Sequence, residues 1–399
     1  MASLPSLPPS ATTSILRAAL HDRVVGVLVG SALGDAIGLY TEFLTAADAA
    51  AAYPTRTFTL TATPHPTPFK LDMHRAPKEL GHWTDDTDHA LLILLAFLHT
   101  ARTSPSSPNP STHPPANATP QANPLMRTHP VGMICLWRAE GEAFALAAAL
   151  SRVTHADPRC VLACVIGTGL VRALVRGAVS GEGEVDALVE RAVEWCRGED
   201  AEGMAMVNVE ELWRHVKPDG GLEALQLDER AAIGYVYKTL GSGVVLLRMA
   251  MRRMAASQGG LLDRTRLFEE LITDLVMRGG DADTNACFAG ALLGGYLGYC
   301  ALPDHWKHGL KHEAWLLGKA EALCQVLGLK DGEYNGKDDK DTEVHGGKPE
   351  LSKEEMEVRW MLLQQAMVKK MEDAAKAAAS SAKDTSSRWP FAWLSNGPK

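Results

Sequence analysis

The stretch from Ser14 to Gly38, SILRAALHDRVVGVLVGSALGDAIG, sets the first limit on what this chain can become. Its apolar residues cover one broad face, and Gly26, Gly30, Ala32 and Gly34 return at steps of two to four, close to the turn of an α-helix. A helix with so little side chain reads as buried and closely approached by its neighbours. The segment ACFAGALLGGYLGYC, residues 286–300, is so rich in Gly and Ala that as a helix it must be covered on nearly every side. Aromatic residues are only 6 % of the 399, against 46 % hydrophobic residues in all, which favours packed helices over a sandwich or barrel. The expected fold class is all-α.

Further helical periodicity runs from Thr84 through DHALLILLAFLHT and resumes at Val131. It continues through PRCVLACVIGTGLVRALVRG, EVDALVERAVEWCRG, ERAAIGYVYKTLGSGVVLLRMAMRRMA, TRLFEELITDLVMRG and HEAWLLGKAEALCQVLG. Between them, residues 102–124 (RTSPSSPNPSTHPPANATPQANP) offer almost nothing to bury and predict a low-complexity loop. Residues 1–13 predict a disordered lead-in, 14–329 the helical domain, and 330–350 a charged, Gly-rich flexible linker. In 351–399, Met356, Trp360, Leu363, Met367 and Met371 form the stripe of one amphipathic helix. That stripe suits packing on the rest of the chain or contact with a partner, and the sequence leaves both open.

With a net charge of −8 and no Lys/Arg block, nucleic acid is not an expected partner. The apolar runs Val24–Leu33 and Leu91–Phe97 fall short of the roughly 20 residues a bilayer span needs, so no membrane association is expected. Seven cysteines, odd in number, scattered and without a CxxC pair, read as reduced thiols of an intracellular protein. The cytoplasm is the expected compartment, with nucleus and mitochondrion left open.

Two clusters of oxygen donors stand immediately before very apolar helices. The first, GHWTDDTDHALL, holds Thr84, Asp85, Asp86 and Asp88; the second, GGDADTNACFAGALLGG, holds Asp281, Asp283 and Thr284. Successive residues inside a helix point about 100° apart, so neighbouring acids converge only at a helix entrance or turn. Simple N-capping needs one such residue per helix. Here each cluster supplies several, and unpaired buried carboxylates repel one another until a cation relieves them. Oxygen donors without Cys or His select hard cations, magnesium or manganese rather than zinc. The regular Asp-x-Asp-x-Asp-Gly loop of a calcium hand is missing.

Taken in order, GVLVGSALGDAIGLYTEF, GHWTDDTDHAL and GGDADTNACFAGALLGGYLG resemble the ADP-ribosylglycohydrolases related to dinitrogenase-reductase-activating glycohydrolase. The resemblance spans Leu16 to Leu329, with support from NPLMRTHPVG, THADPRCVLACVIGTGLVRALVRG and GYVYKTLGSG. It implies a compact orthogonal helical bundle with a binuclear metal centre holding two Mg2+ ions, or Mn2+ in their place. The implied metal ligands are Thr84, Asp85, Asp86, Asp281, Asp283 and Thr284. Glu42, Asp85 and Asp283 are the implied catalytic candidates, and Arg127, His155 and Tyr235 the implied substrate-binding residues. The implied reaction is metal-dependent hydrolysis of the glycosidic bond joining ADP-ribose to a protein side chain or a small acceptor. One departure from the pattern matters: where relatives carry a helix and a Gly-rich phosphate loop, this chain has the Pro/Ser-rich stretch 102–124, and no glycine follows Asn123. The alternative is therefore a catalytically impaired ADP-ribose-binding or structural relative.

Overall fold

The computed structural model describes residues 9–61, 65–103, 123–256, 264–349 and 351–386. Fifteen α-helices and no strand are formed among the described residues, which makes the fold all-α. In chain order they are α1 (Pro9–Gly38), α2 (Ala46–Ala52), α3 (Asp85–Thr103), α4 (His129–Ile134), α5 (Glu140–Arg152), α6 (Pro158–Arg176), α7 (Glu182–Glu199) and α8 (Ala201–Ala205). There follow α9 (Val209–Val216), α10 (Val236–Ala256), α11 (Arg264–Val276), α12 (Ala282–Leu297), α13 (Asp304–Lys307), α14 (Glu313–Val326) and α15 (Lys353–Ser386). The chain divides into two units, one of Met1–Thr67 with Leu80–Lys348, the other of Pro68–Glu79 with Pro349–Lys399.

At the centre of the first unit, α1 and α12 run antiparallel with their backbones in contact. A Cβ on Gly26 would stand 2.4 Å from the Gly294 carbonyl oxygen, one on Gly30 2.5 Å from that of Gly290, and one on Gly34 1.9 Å from that of Ala286. Real side chains do not tolerate such distances. Hydrogen at these positions therefore lets the two helix axes approach to backbone contact, with Val24–Leu33 and Ala286–Leu293 buried around the crossing. Helix α6 is long and apolar enough to cross a membrane, but 83 % of its apolar window is buried within the fold. Asp157 caps it by accepting from the Arg159 amide, and Gly177, at φ 71°, ends it.

Several boundaries differ from expectation. Helix α1 begins at Pro9, inside the segment expected to be a disordered lead-in, because proline suits a first helical turn. The continuous helix expected from Glu229 is broken: Arg230–Ala232 forms a 3-10 turn, and α10 starts at Val236, beyond the weak helix former Gly234. Residues 330–348, expected to be a flexible linker, are held down instead. Lys319 bonds Asp339 and Asp341, Trp315 Nε1 donates to Asp341 (2.8 Å), and Arg102 pairs with Glu343. Their charges find partners on α3 and α14, which composition does not reveal. Most of the expected loop, 104–122, lies outside the described residues.

In the second unit, Ser352 and Glu355 close a reciprocal capping box at the start of α15. The stripe residues Met356, Trp360, Leu363 and Met367 remain 50 % to 63 % exposed.

All seven cysteines are free, and five of them are buried.

Candidate metal centre

The crossing of α1 and α12 is what builds the site. A Cβ on Gly38 would lie 2.3 Å from the Asp283 Cα, so the end of α1 sits directly on the first turn of α12. One turn earlier on α1, Asp35 is fully buried and its carboxylate accepts from the Thr84 amide (2.9 Å), the Thr87 amide (3.0 Å) and the Thr87 hydroxyl (2.6 Å). Asp35 thereby caps α3 from a different helix and fixes where Asp86 stands.

A third segment is brought in by residues 41–45. Thr41 Oγ1 donates to the Val276 carbonyl (2.6 Å), the Phe43 amide donates to the Gly280 carbonyl (2.7 Å), and the Gly280 amide donates to the Leu44 carbonyl (2.9 Å). Gly279 and Gly280 adopt φ 67° and 72°, and a Cβ on either would meet a backbone oxygen at 2.1 Å. Only glycine fits this turn. The result sets Glu42 against Asp281 and Asp283.

Two groups of carboxylates form, Asp35–Asp86–Asp283 and Glu42–Asp281–Asp283, each with ligand oxygens within 4.8 Å of one another. Asp283 belongs to both. Burial pushes Asp35 up to about 6, against the hydrogen bonds from Thr84 and Thr87. Burial likewise raises Asp281 to about 6, with Glu42 and Asp85 adding repulsion. Asp86 and Asp283 are raised well above the carboxylate range by burial first and by neighbouring carboxylates second. Asp35, Asp86, Asp281 and Asp283, all raised, must take up protons or cations. Asp86 Oδ2 is buried without a hydrogen-bond partner, aimed into a group whose other members are also oxygen acceptors. This donor set fits hard divalent cations.

The flanking threonines also converge. The Thr284 hydroxyl holds the Asp86 and Asp281 carboxyls down against the rise from burial, and Thr84 Oγ1 accepts weakly from the Asp86 amide (3.4 Å). Asp85 stands differently: it is exposed at the first turn of α3 and outside both groups, though its charge reaches Asp86 and Asp281. Asp88 is exposed and accepts from Trp83 Nε1 (2.8 Å). Asp35 was not among the sequence candidates. Its signal was present, a single acid inside an otherwise apolar stretch of α1.

Arg127, His155 and Tyr235 lie outside both carboxylate groups. Arg127 is buried, bonding the Thr154 hydroxyl and the Leu150 carbonyl, and Thr154 Oγ1 also contacts His155 Nδ1 (2.9 Å). Burial and the Arg127 charge lower the His155 pKa. The Tyr235 hydroxyl donates to Glu211 (2.8 Å) under the Arg159 guanidinium. The neighbouring Gly234 is closer to the acids, since a Cβ there would lie 3.9 Å from Asp281 Oδ2. A hydrogen-bond chain from Asn123 through Thr239 to Asn285, 2.9 Å at each step, ties the turn carrying Arg127 to α12 two residues beyond Asp283.

An all-α fold whose helix entrances bring two groups of carboxylates together defines a helical protein with a candidate cation centre. The chain belongs to the ADP-ribosylglycohydrolase family, whose model matches residues 16–113 and 101–333. One solved structure, an "ADP-ribosylglycohydrolase-related protein complex", is 24 % identical, covers 77 % of this chain and 98 % of its own, and has a TM-score of 0.49. No curated protein matches the chain.

Asp35→Ala would leave the buried Thr84 amide and both Thr87 donors without their acceptor. The expected loss is about 2–4 kcal/mol, set by roughly 1–3 kcal/mol for each stranded donor and reduced by relief of carboxylate repulsion. Urea unfolding of the metal-free protein measures it; a loss below about 1 kcal/mol would refute the capping role.

Proposed function

We propose that this protein is a magnesium-dependent hydrolase that cleaves the glycosidic bond between ADP-ribose and a protein side chain or small acceptor. The observation that supports it most is the meeting of Asp35, Glu42, Asp86, Asp281 and Asp283, drawn from three distant parts of the chain, in two groups that share Asp283. With family membership, that arrangement favours ADP-ribose conjugates as the substrate class.

In this reading Thr84, Asp86, Asp281, Asp283 and Thr284 hold the cations, with Asp85 at the solvent edge and Asp35 behind the ligands as their anchor. Two bound Mg2+ ions, or Mn2+, would supply positive charge that orients ribose hydroxyls and acidifies water. Glu42, only 7 % exposed beside Asp281 and Asp283, would accept the proton of the attacking water, with Asp85 and Asp283 as the other candidates. The carboxylates stabilise the positive charge that develops at the anomeric carbon as the bond to the acceptor breaks. Arg127, His155 and Tyr235 would contact the substrate, and the first two share the Thr154 hydroxyl.

The test is a turnover panel on arginine-, serine- and acetyl-linked ADP-ribose with and without magnesium, alongside calorimetry with free ADP-ribose. Magnesium-dependent release from one linkage is expected. Binding of ADP-ribose with no release from any linkage would favour the non-catalytic alternative, to which the Pro/Ser-rich stretch 102–124 points.

A further inference from the structure

Apart from the carboxylate groups, two imidazoles face each other between the segment entering α3 and the start of α14. His82 precedes Trp83 and Thr84, and His312 flanks the first residue of α14. Their Nε2 atoms lie 3.3 Å apart, with ring centroids at 4.9 Å and planes at 84°. The backbone fixes this approach. The Lys311 amide donates to the Gly81 carbonyl (2.9 Å), and Gly81, at φ 74°, packs so closely on Gly309 that a Cβ would lie 2.1 Å from its oxygen. The Trp83 ring packs against His312 at 5.4 Å and Trp315 at 6.5 Å, walling one side.

At 3.3 Å the two nitrogens share a long hydrogen bond, one ring donating to the other. The separation matches the bite of a chelating pair: two imidazole nitrogens at about 2.05 Å from a tetrahedral ion stand about 3.3 Å apart, with ring centres about 5.2 Å apart. The nitrogen separation of 3.3 Å equals that value, and the centroid distance of 4.9 Å comes close to the other.

We propose that His82 and His312 form a second cation site, separate in chemistry from the carboxylate groups, that takes one borderline divalent transition-metal ion such as Zn2+ through both Nε2 atoms. Solvent completes its coordination. Imidazole donors favour zinc, nickel and copper over magnesium, so the two sites sort cations by donor type. An ion here would cross-link residues 81–83 to α14 and so tether the segment that leads into Thr84, Asp85 and Asp86. The inference does not depend on the reaction proposed above.

Calorimetric titration with zinc chloride, under excess magnesium to compete at the carboxylates, tests it on the full chain. His82 is half-buried and His312 exposed, so His82→Ala and His312→Ala both leave the core untouched. The expected result is a zinc-binding event in the wild type that weakens at least about tenfold in each variant, as loss of a ligand demands. Anomalous scattering at the zinc edge should place the ion between the two rings. No zinc uptake by the wild type, unchanged affinity in either variant, or zinc found only elsewhere would overturn the proposal.

Discussion

Asp283→Asn is expected to lower magnesium-dependent ADP-ribose release by at least about 100-fold while leaving the metal-free protein as stable as the wild type or more so, since the carboxylate common to both acid groups, the proposed shared ligand, is replaced by a neutral amide. Asp283 is 4 % exposed and is raised well above the carboxylate range by burial and by Asp86, Glu42 and Asp281. Asparagine keeps the side-chain oxygen that accepts from the Thr284 amide at 2.9 Å, so the turn survives. The same opposition sets the pH dependence. Asp35 and Asp281, raised from 3.8 to about 6, bind protons more tightly folded than unfolded. Their contribution is therefore present at acid pH, and the metal-free protein should lose stability as pH rises from about 4 through about 6. Magnesium, which needs the ionised carboxylates, should restore it above that range. Thermal melts with and without magnesium at pH 5 and pH 7.5, wild type against Asp283→Asn, measure this. A magnesium-induced rise in Tm that persists in the variant would remove the carboxylate groups from the case.

The second large effect belongs to the helix crossing. Gly34→Leu would drive a Cβ to 1.9 Å from the Ala286 oxygen and 2.5 Å from its carbonyl carbon, both of them backbone. No rotamer avoids that clash, so α1 and α12 must move apart. A loss of about 4 kcal/mol or more is expected, in the range reserved for severe overpacking. Because Asp35 lies next to Gly34 and Asp283 three residues before Ala286, separation should also abolish magnesium-induced stabilisation. Gly183→Ala provides the contrast: that glycine is exposed on α7 with nothing within 4 Å of an added Cβ, and alanine there should stabilise by up to about 1 kcal/mol. Equal urea midpoints for Gly34→Leu and wild type would mean that the backbone contact is not a constraint.

The class of fold was legible because its signal is local. Helical periodicity, small-residue spacing and the break chemistry of Gly and Pro act over a few residues, and α3, α6, α7, α11 and α14 fall where that pattern places them. The acid clusters were legible for a related reason: carboxylates bunched at a helix entrance are more than capping requires, and Asp86, Asp281 and Asp283 do converge. Asp35 was not legible because a lone acid in a helix shows nothing of what it faces. The order in residues 330–348 escaped because their charge and glycine content describe a loop equally well whether or not Lys319 and Arg102 stand opposite.

Taken alone, the sequence determined that this chain folds as packed helices, which two of them lack side-chain bulk, and where hard oxygen donors are concentrated. Only the tertiary structure decided that those two bare helices cross each other, that Asp35 joins Asp86 and Asp283, and that Asp85 is left at the solvent edge. The reason is one of range. Helix formation and capping depend on neighbours a few residues away, whereas a shared carboxylate group depends on which backbones can come close enough to exclude water, and that is settled only when the whole core packs.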